Sequence, residues 1–345
     1  MMTPRTAAWP DLSAWRVAGP AEMLDNEKVR MREIVVCGEA LVDVVGTSAS
    51  PAGAGGGLSP LQPALGGGPF NVAVTLGRLG SAVSLCSAVS TDTYGEAIVS
   101  ALRSAGVGTS LLQRRAEPTS LALATIGPDG GAQYSFYVEG TADRQVSDPG
   151  PLASTVAAVC FGTLSMVLEP GASVYESLLR RSHGEGRLVI VDPNIRPAVI
   201  ADPDAYRRRF ASWTSSVDIV KLSDEDAGWL ASGPDGTTGD EWLAAGVSAI
   251  ITTAGAAGIT VRTRHTELTV PAPPTQVVDT IGAGDSVVGG VLRHLDRIGA
   301  LSSVAVAELD ADQWRATAEF AGEVAAVTVS RPGADPPWAS ELASD

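Results

Sequence analysis

Asp285 is an acid placed where a helix should begin. Gly282, Ala283 and Gly284 precede it, and Val288, Val291, Leu292, Leu295 and Ile298 recur after it every three or four residues. That spacing predicts a helix with one buried stripe. The apolar "TQVVDT" ahead of the small residues predicts a strand. The first N–H groups of a helix have no intrahelical partners, and the helix dipole adds partial positive charge there. Small residues let an anion approach those groups closely. An acid in the first turn can simply cap the helix, worth about 0.5–2 kcal/mol. It can also take the proton of an attacking hydroxyl while the N–H groups hold a phosphoryl group in transit, which is what phosphoryl transfer to an alcohol needs. Partners elsewhere in the chain decide between the two.

Candidate partners exist. "LGGGPFNVAVTLGRLG" carries Gly66, Gly67 and Asn71 ahead of a helix whose Val72, Leu76 and Leu79 face inward. The glycines permit close backbone approach, and Asn71 can both donate to and accept from hydroxyls. Asp43, at the end of the first strand region, offers a carboxylate that can accept from two sugar hydroxyls. "VDPNIRP" sets Asn194 and Arg196 just past a strand end, where open parallel sheets bind ligands. Arg196 can hold a phosphate or a sugar hydroxyl, or form a surface ion pair. "TTAGAAG", with Thr253, Gly255 and Gly258, is a second Gly-rich turn after a strand and reads as a nucleotide-contact loop. Competing phosphate motifs are absent. The only lysines, Lys28 and Lys221, follow Glu and Val rather than Gly, so there is no P-loop. No G-x-G-x-x-G follows the first strand, and neither H-E-x-x-H nor G-x-S-x-G occurs.

The elements that position these residues alternate along the chain. "EIVVCGEALVDVV" reads as one or two buried strands, and "AVSLCSAV", "AAVCFG", "RLVIVDPN", "VDIVKLS" and "VSAIITTAG" as further ones. Helical stretches start near Tyr94, Ser173, Ala205, Asp224 and Asp240. Short apolar strands separated by helices predict parallel βα units. "TSLALATIGPDGGAQYSFYVEG" breaks that rule and predicts a hairpin around Gly-Pro-Asp-Gly-Gly. With the Gly- and Pro-rich Ser50 to Pro69 it suggests a small β-lid, useful where a reactive phosphate must not meet water.

Bulk properties narrow the class. The 345 residues are 45% hydrophobic, ample for a large core. A net charge of −15 argues against a nucleic-acid partner. No run approaches the roughly 18 apolar residues of a membrane span, and residues 1–30 do not have the form of a signal peptide. Those residues read as an irregular extension. Cys37, Cys86 and Cys160 sit in apolar runs without metal-ligand spacing, as buried free thiols of a cytoplasmic protein would.

Together these segments resemble the ribokinase-like (PfkB) carbohydrate kinases. Gly66-Gly67-x-x-x-Asn71 and the helix after it resemble the family's N-terminal signature, and "DTIGAGD" its C-terminal one. "GEALVD", "DPNIRP" and "TAGAAG" fall in the family's order. The resemblance implies a three-layer α/β/α core with a mostly parallel sheet over residues 31–337, a β-lid from about 46–65 and 116–142, and a short tail over 338–345. It implies ATP-dependent phosphorylation of a sugar hydroxyl. Asp285 would be the general base and Gly282, Ala283 and Gly284 the anion hole. Asp43, Gly66, Gly67, Asn71 and Arg196 would hold the sugar. Asn194, Lys221, Thr253, Gly255 and Gly258 would meet the nucleotide. Asp226 would organise Mg²⁺ through water, although Ser223 stands where the family often has Asn. Asp279, with the loop near Ser330 to Ala334, would hold a monovalent cation such as K⁺. The segments look most like those of fructokinases. A 2-keto-3-deoxygluconate kinase is the alternative, disfavoured because Asp43 would repel a substrate carboxylate. An adenosine-type kinase and a non-catalytic binding protein on the same fold are further readings. Lid strands such as Ser135 to Val138 could pair across a homodimer.

Overall fold

Alternation along the strands sets the architecture. In the computed structural model, which describes residues 32–46, 61–126 and 132–342, the strands are β1 (Glu33–Cys37), β2 (Leu41–Gly46), β3 (Leu61–Gly66), β4 (Val83–Ser90), β5 (Leu112–Arg115), β6 (Leu121–Ile126), β7 (Ala132–Tyr137), β8 (Val156–Gly162), β9 (Leu188–Asp192), β10 (Ile219–Ser223), β11 (Ala249–Thr253), β12 (Ile259–Arg262) and β13 (Glu267–Val270). The helices are α1 (Gly68–Arg78), α2 (Thr93–Ser104), α3 (Gly171–Gly184), α4 (Pro203–Trp213), α5 (Asp224–Ala231), α6 (Gly239–Ala245), α7 (Ala283–Arg297), α8 (Ser303–Ala307) and α9 (Ala311–Val329). The expected N-terminal extension, most of the Ser50 to Pro69 segment and the Gly-Pro-Asp-Gly-Gly turn lie outside the described residues.

Nine strands form one sheet in the order β13-β12-β11-β10-β9-β8-β1-β4-β5. It is parallel from β11 to β5, and β12 and β13 extend it antiparallel. Successive side chains of a strand point to opposite faces. Ile34 and Val36 therefore join Leu76 of α1, Ile98 of α2, Leu292 of α7 and Trp314 of α9 on one face. Val35 and Cys37 join Leu178 of α3, Phe210 of α4 and Trp242 of α6 on the other. The result is the expected three-layer core. Gly289 and Gly290 let α7 lie close between neighbours. A Cβ on Gly289 would fall 2.5 Å from Thr75 Cγ2, and one on Gly290 2.7 Å from Ala321 Cα.

Four strands form a separate small sheet, β3-β2-β6-β7, the lid. The two strands of "EIVVCGEALVDVV" thus part company: β1 joins the large sheet and β2 the small one. The lid takes in Leu41–Gly46, earlier in the chain than the expected segment, and Asp43 belongs to it.

One expectation fails locally, and one segment is more closely held than an irregular tail need be. "TQVVDT" is not a strand. The N–H groups of Val278 and Asp279 donate to the Val329 carbonyl at the end of α9, so this stretch pairs with a helix terminus rather than a strand neighbour. The segment after Pro336 is not a loose tail. Arg78 donates to the Pro336 carbonyl and its guanidinium lies 5.3 Å from the centre of the Trp338 ring, while Leu342 packs against Leu79, Phe320 and Val324. Cys37, Cys86 and Cys160 are buried and free. Among the described residues no helix is long and apolar enough to cross a membrane.

Candidate active site

A cavity of about 340 Å³ opens where the lid meets the large sheet. It gathers residues far apart in sequence, because the carboxyl ends of parallel strands and the helix starts that follow them converge on one edge. Asp43, Gly67, Asn71, Asn194, Arg196, Lys221, Gly282, Gly284 and Asp285 all line it.

Asp285 is buried in the first turn of α7 but does not cap it: the start of α7 carries no side-chain cap hydrogen bond. Its Oδ2 instead accepts from Asn71 Nδ2 of α1 at 2.8 Å. Burial pushes its carboxyl up to about 6; Asn71, Lys221 and Arg196 oppose that rise and Asp192 adds to it. At neutral pH it is an ionised acid with strong proton affinity, as a general base should be. Gly282 turns into the helix at φ 77°, a left-handed conformation that suits glycine. Ala283 N–H points back to the Thr280 carbonyl at 3.2 Å, and the Ser286 N–H closes on Gly282 O. Ala283 does not line the cavity, so the N–H groups of Gly284 and Asp285 are the ones left for an anion.

Lys221 rises from β10 beneath this turn. Its Nζ donates to Asp192 Oδ2 at 2.9 Å, and both side chains are buried. A Cβ on Gly284 would fall 2.7 Å from Nζ, so the small residue makes room for the ammonium. Burial works against the charge, but Asp192, Asp285 and Asp226 outweigh it and hold the lysine above its ordinary range.

Asp43 faces the cavity from the lid. Burial pushes its carboxyl up to about 6, partly opposed by Arg196. Gly66, directly behind, makes room for it: a Cβ there would lie 2.0 Å from Asp43 Oδ2. Arg196 makes no salt bridge among the described residues. Its Nη1 donates to the Asn194 side chain at 2.7 Å and to the Asn194 and Ile195 carbonyls.

The remaining expected residues lie off this cavity. Thr253 ends β11, and Gly255 opens the short turn after it. Gly258 has a structural reason to be glycine, since a Cβ would fall 2.0 Å from the Val270 carbonyl. Asp226 caps α5: one oxygen accepts from Ser223 N–H at 3.2 Å, the other from Ile195 N–H at 2.9 Å. Asp279 accepts from Ile281 N–H and from Gly333 N–H at 2.9 Å, which ties the two loops named for a cation together.

Phe136 of the lid, which could supply the aromatic slot of an adenosine-type kinase, lines the cavity. Sequence reasoning missed other wall residues: Glu39, Gly68 and Thr163. Thr163 takes a left-handed φ of 61°, sparsely populated for a β-branched residue. Its hydroxyl lies 2.5 Å from where a Cβ on Gly68 would sit. Asp192 was missed too. Only Glu39 had a sequence signal: a charge inside an apolar run.

Comparison with known proteins matches residues 31–341 to "pfkB family carbohydrate kinase". The chain belongs to the pfkB family of carbohydrate kinases. As such it is a phosphotransferase with an alcohol group as acceptor. This pfkB kinase is similar to a fructokinase of Rhizobium leguminosarum bv. trifolii, with 34% identity over 285 residues, 82% of this chain and 85% of that protein. It is 28% identical to probable fructokinase-3 of Arabidopsis thaliana over 316 residues, 90% of this chain and 89% of that one. The crystal structure of a fructokinase with bound ATP from Xylella fastidiosa superposes with a TM-score of 0.79 at 27% identity, covering 88% of this chain and 94% of that chain.

Proposed function

We propose that this pfkB kinase is an ATP-dependent fructokinase that moves the γ-phosphoryl group onto a hydroxymethyl group of fructose. The observation that carries the reading is the buried Asp285 carboxylate beside the free N–H groups at the start of α7, with Lys221 below and Asp43 across the same cavity. The similarity to fructokinases supports the sugar. So does the charge of the wall: the Asp43 carboxylate stands there near Arg196, a poor setting for a sugar acid.

In this reading Asp43, Asn71 and Arg196 hold the sugar hydroxyls, with Gly66 and Gly67 letting the backbone approach. Asp285 takes the proton of the attacking hydroxyl. Lys221 and the N–H groups of Gly284 and Asp285 meet the charge on the transferred group, a preorganised electrostatic contribution. The phosphates of ATP lie along Asn194 and Lys221, and its nucleoside along Thr253, Gly255 and Gly258. The donor set suits a hydrated Mg²⁺ carried by the phosphates, since Mg²⁺ keeps several waters and uses one or two carboxylates. Asp192, with its unpaired Oδ1, would be such a carboxylate, and Asp226, whose oxygens both accept from backbone N–H groups, would act through water. Mg²⁺ would supply further neutralisation of phosphate charge. The Asp279-tied loop would hold K⁺ through backbone carbonyls, since both Asp279 oxygens already accept from backbone N–H groups. Exposed Leu61 and Tyr137 support a homodimer through the lid, and the three free thiols support a cytoplasmic location.

An ADP-coupled assay with fructose, ribose, 2-keto-3-deoxygluconate and adenosine tests the reading. Fructose should have the highest kcat/KM. Preference for another member of the panel replaces the substrate. No ADP formation with any of them replaces catalysis with binding alone.

A further inference from the structure

Glu39 lies in the link Gly38–Ala40 between β1 of the large sheet and β2 of the lid. It is 1% exposed. Oε2 accepts from the Ser165 backbone N–H at 3.2 Å and from the Ser165 hydroxyl. Oε1 is buried and has no hydrogen-bond partner among the described residues, yet Glu39 lines the cavity beside Asp43. Buried polar groups are almost always hydrogen-bonded. The backbone around it is closely packed. A Cβ on Gly67 would fall 2.8 Å from the Glu39 carbonyl, and one on Gly38 2.3 Å from the Pro69 ring.

We propose that Glu39 is a sugar-contacting residue: its Oε1, backed by Ser165, hydrogen-bonds a hydroxyl of the bound sugar next to Asp43 and ties that sugar to the hinge of the lid. The proposal deepens the sugar-kinase reading of this cavity and rests on it. The groups around Glu39 are Asp43 on β2, Asp143 after β7, Tyr175 on α3 and, across the cavity, Asp285 and Arg196. Burial pushes the Glu39 carboxyl up to about 7; its hydrogen bonds from Ser165 oppose the rise, and Asp143 adds to it. Below that pH Glu39 is a neutral acid. One oxygen accepts from Ser165 and the other donates to the sugar. Above it, Glu39 becomes a further anion beside Asp43, and it can only accept.

The test is the KM for fructose and for ATP across the neutral range in wild type, Glu39→Gln and Glu39→Ala, with thermal unfolding as a check on folding. Wild type should show a fructose KM that rises as pH goes above about 7. Glu39→Ala should raise the fructose KM about 10- to 50-fold and leave the ATP KM within about twofold. Glu39→Gln keeps a neutral donor and acceptor. It should recover most of that loss and show no alkaline rise. A folded Glu39→Ala with unchanged fructose KM overturns the proposal, as does a Glu39→Gln that keeps the alkaline rise. Should Glu39→Ala not fold, the Glu39→Gln pH profile decides. If wild type phosphorylates another sugar of the panel, the fructose reading falls and the same comparison is made with that sugar. If it phosphorylates none, calorimetric titration with fructose is the readout, and no binding by wild type sinks both ideas.

Discussion

The two walls of the cavity are built differently. The phosphate wall belongs to the core: Lys221 on β10, held from behind by Asp192 of β9, and the start of α7, all fixed by a sheet buried on both faces. The proposed sugar wall is shared: Asn71 and Arg196 come from the core, and Asp43 comes from the lid. Asp43 sits on a strand whose neighbour β3 is mostly exposed. The core wall offers backbone N–H groups and an ammonium, which suit phosphate. The lid wall offers carboxyls, which suit hydroxyls. Asp285 and Asp43 both titrate near 6, raised by burial, yet only Asp285 sits beside the anion-binding turn. In the proposed mechanism, similar ionisation on two scaffolds would serve two jobs: Asp285 would accept a proton, and Asp43 would accept hydrogen bonds.

That contrast can be broken from the core side first. Asp285→Asn should lower kcat by about 10³-fold or more while sugar affinity stays within a few-fold, the expected loss of a positioned base. Steady-state kinetics beside calorimetric sugar binding check it, and near-normal turnover would remove the base assignment. From the lid side, Asp43→Ala should raise the fructose KM about 10- to 100-fold with a much smaller change in kcat. A pure kcat loss would mean that the two walls do not divide the work. The acid limb sharpens the comparison. Both carboxylates act ionised and their pKa values are raised, so activity is present above about pH 6 and is lost as pH falls through it. The kcat/KM for fructose should drop by more than tenfold per unit in wild type, since two groups protonate, and by about tenfold in Asp43→Asn, where one remains. Equal slopes would mean that only one of them matters. The smallest effect is Gly66→Ala, which crowds Asp43 Oδ2 and should raise the fructose KM about 3- to 10-fold; an unchanged KM would show that Asp43 does not need that space.

The phosphate wall was the more legible one in the sequence. Gly282, Gly284, Asp285 and Asn71 announce themselves, because tiny residues before a helical stripe have few other uses. Lys221 stood out as one of two lysines. The lid wall was harder. Asp43 was found, but its placement on a second sheet was not, since an apolar run does not show where a chain changes sheets. Glu39 was passed over in the same run, although a charge among apolar residues marked it. Thr163 gave no signal, because its unusual backbone is imposed by tertiary contacts. "TQVVDT" misled because apolar, β-branched residues suggest a strand whether or not a neighbour is there to pair with it. Val277 and Val278 are in fact exposed.

The lid is also a statement about inheritance. Its four strands come from two stretches of chain, β2–β3 and β6–β7, each leaving the large sheet and returning to it. Neither stretch carries Asp285, Lys221 or the turn at Gly282. Exchanging these two segments would thus replace Asp43 and Phe136 and shift the choice of sugar, while Asn71, Arg196 and the phosphoryl-transfer machinery are passed on untouched. A chimera that receives both stretches from a relative should take its sugar preference from the donor and its nucleotide handling from the recipient.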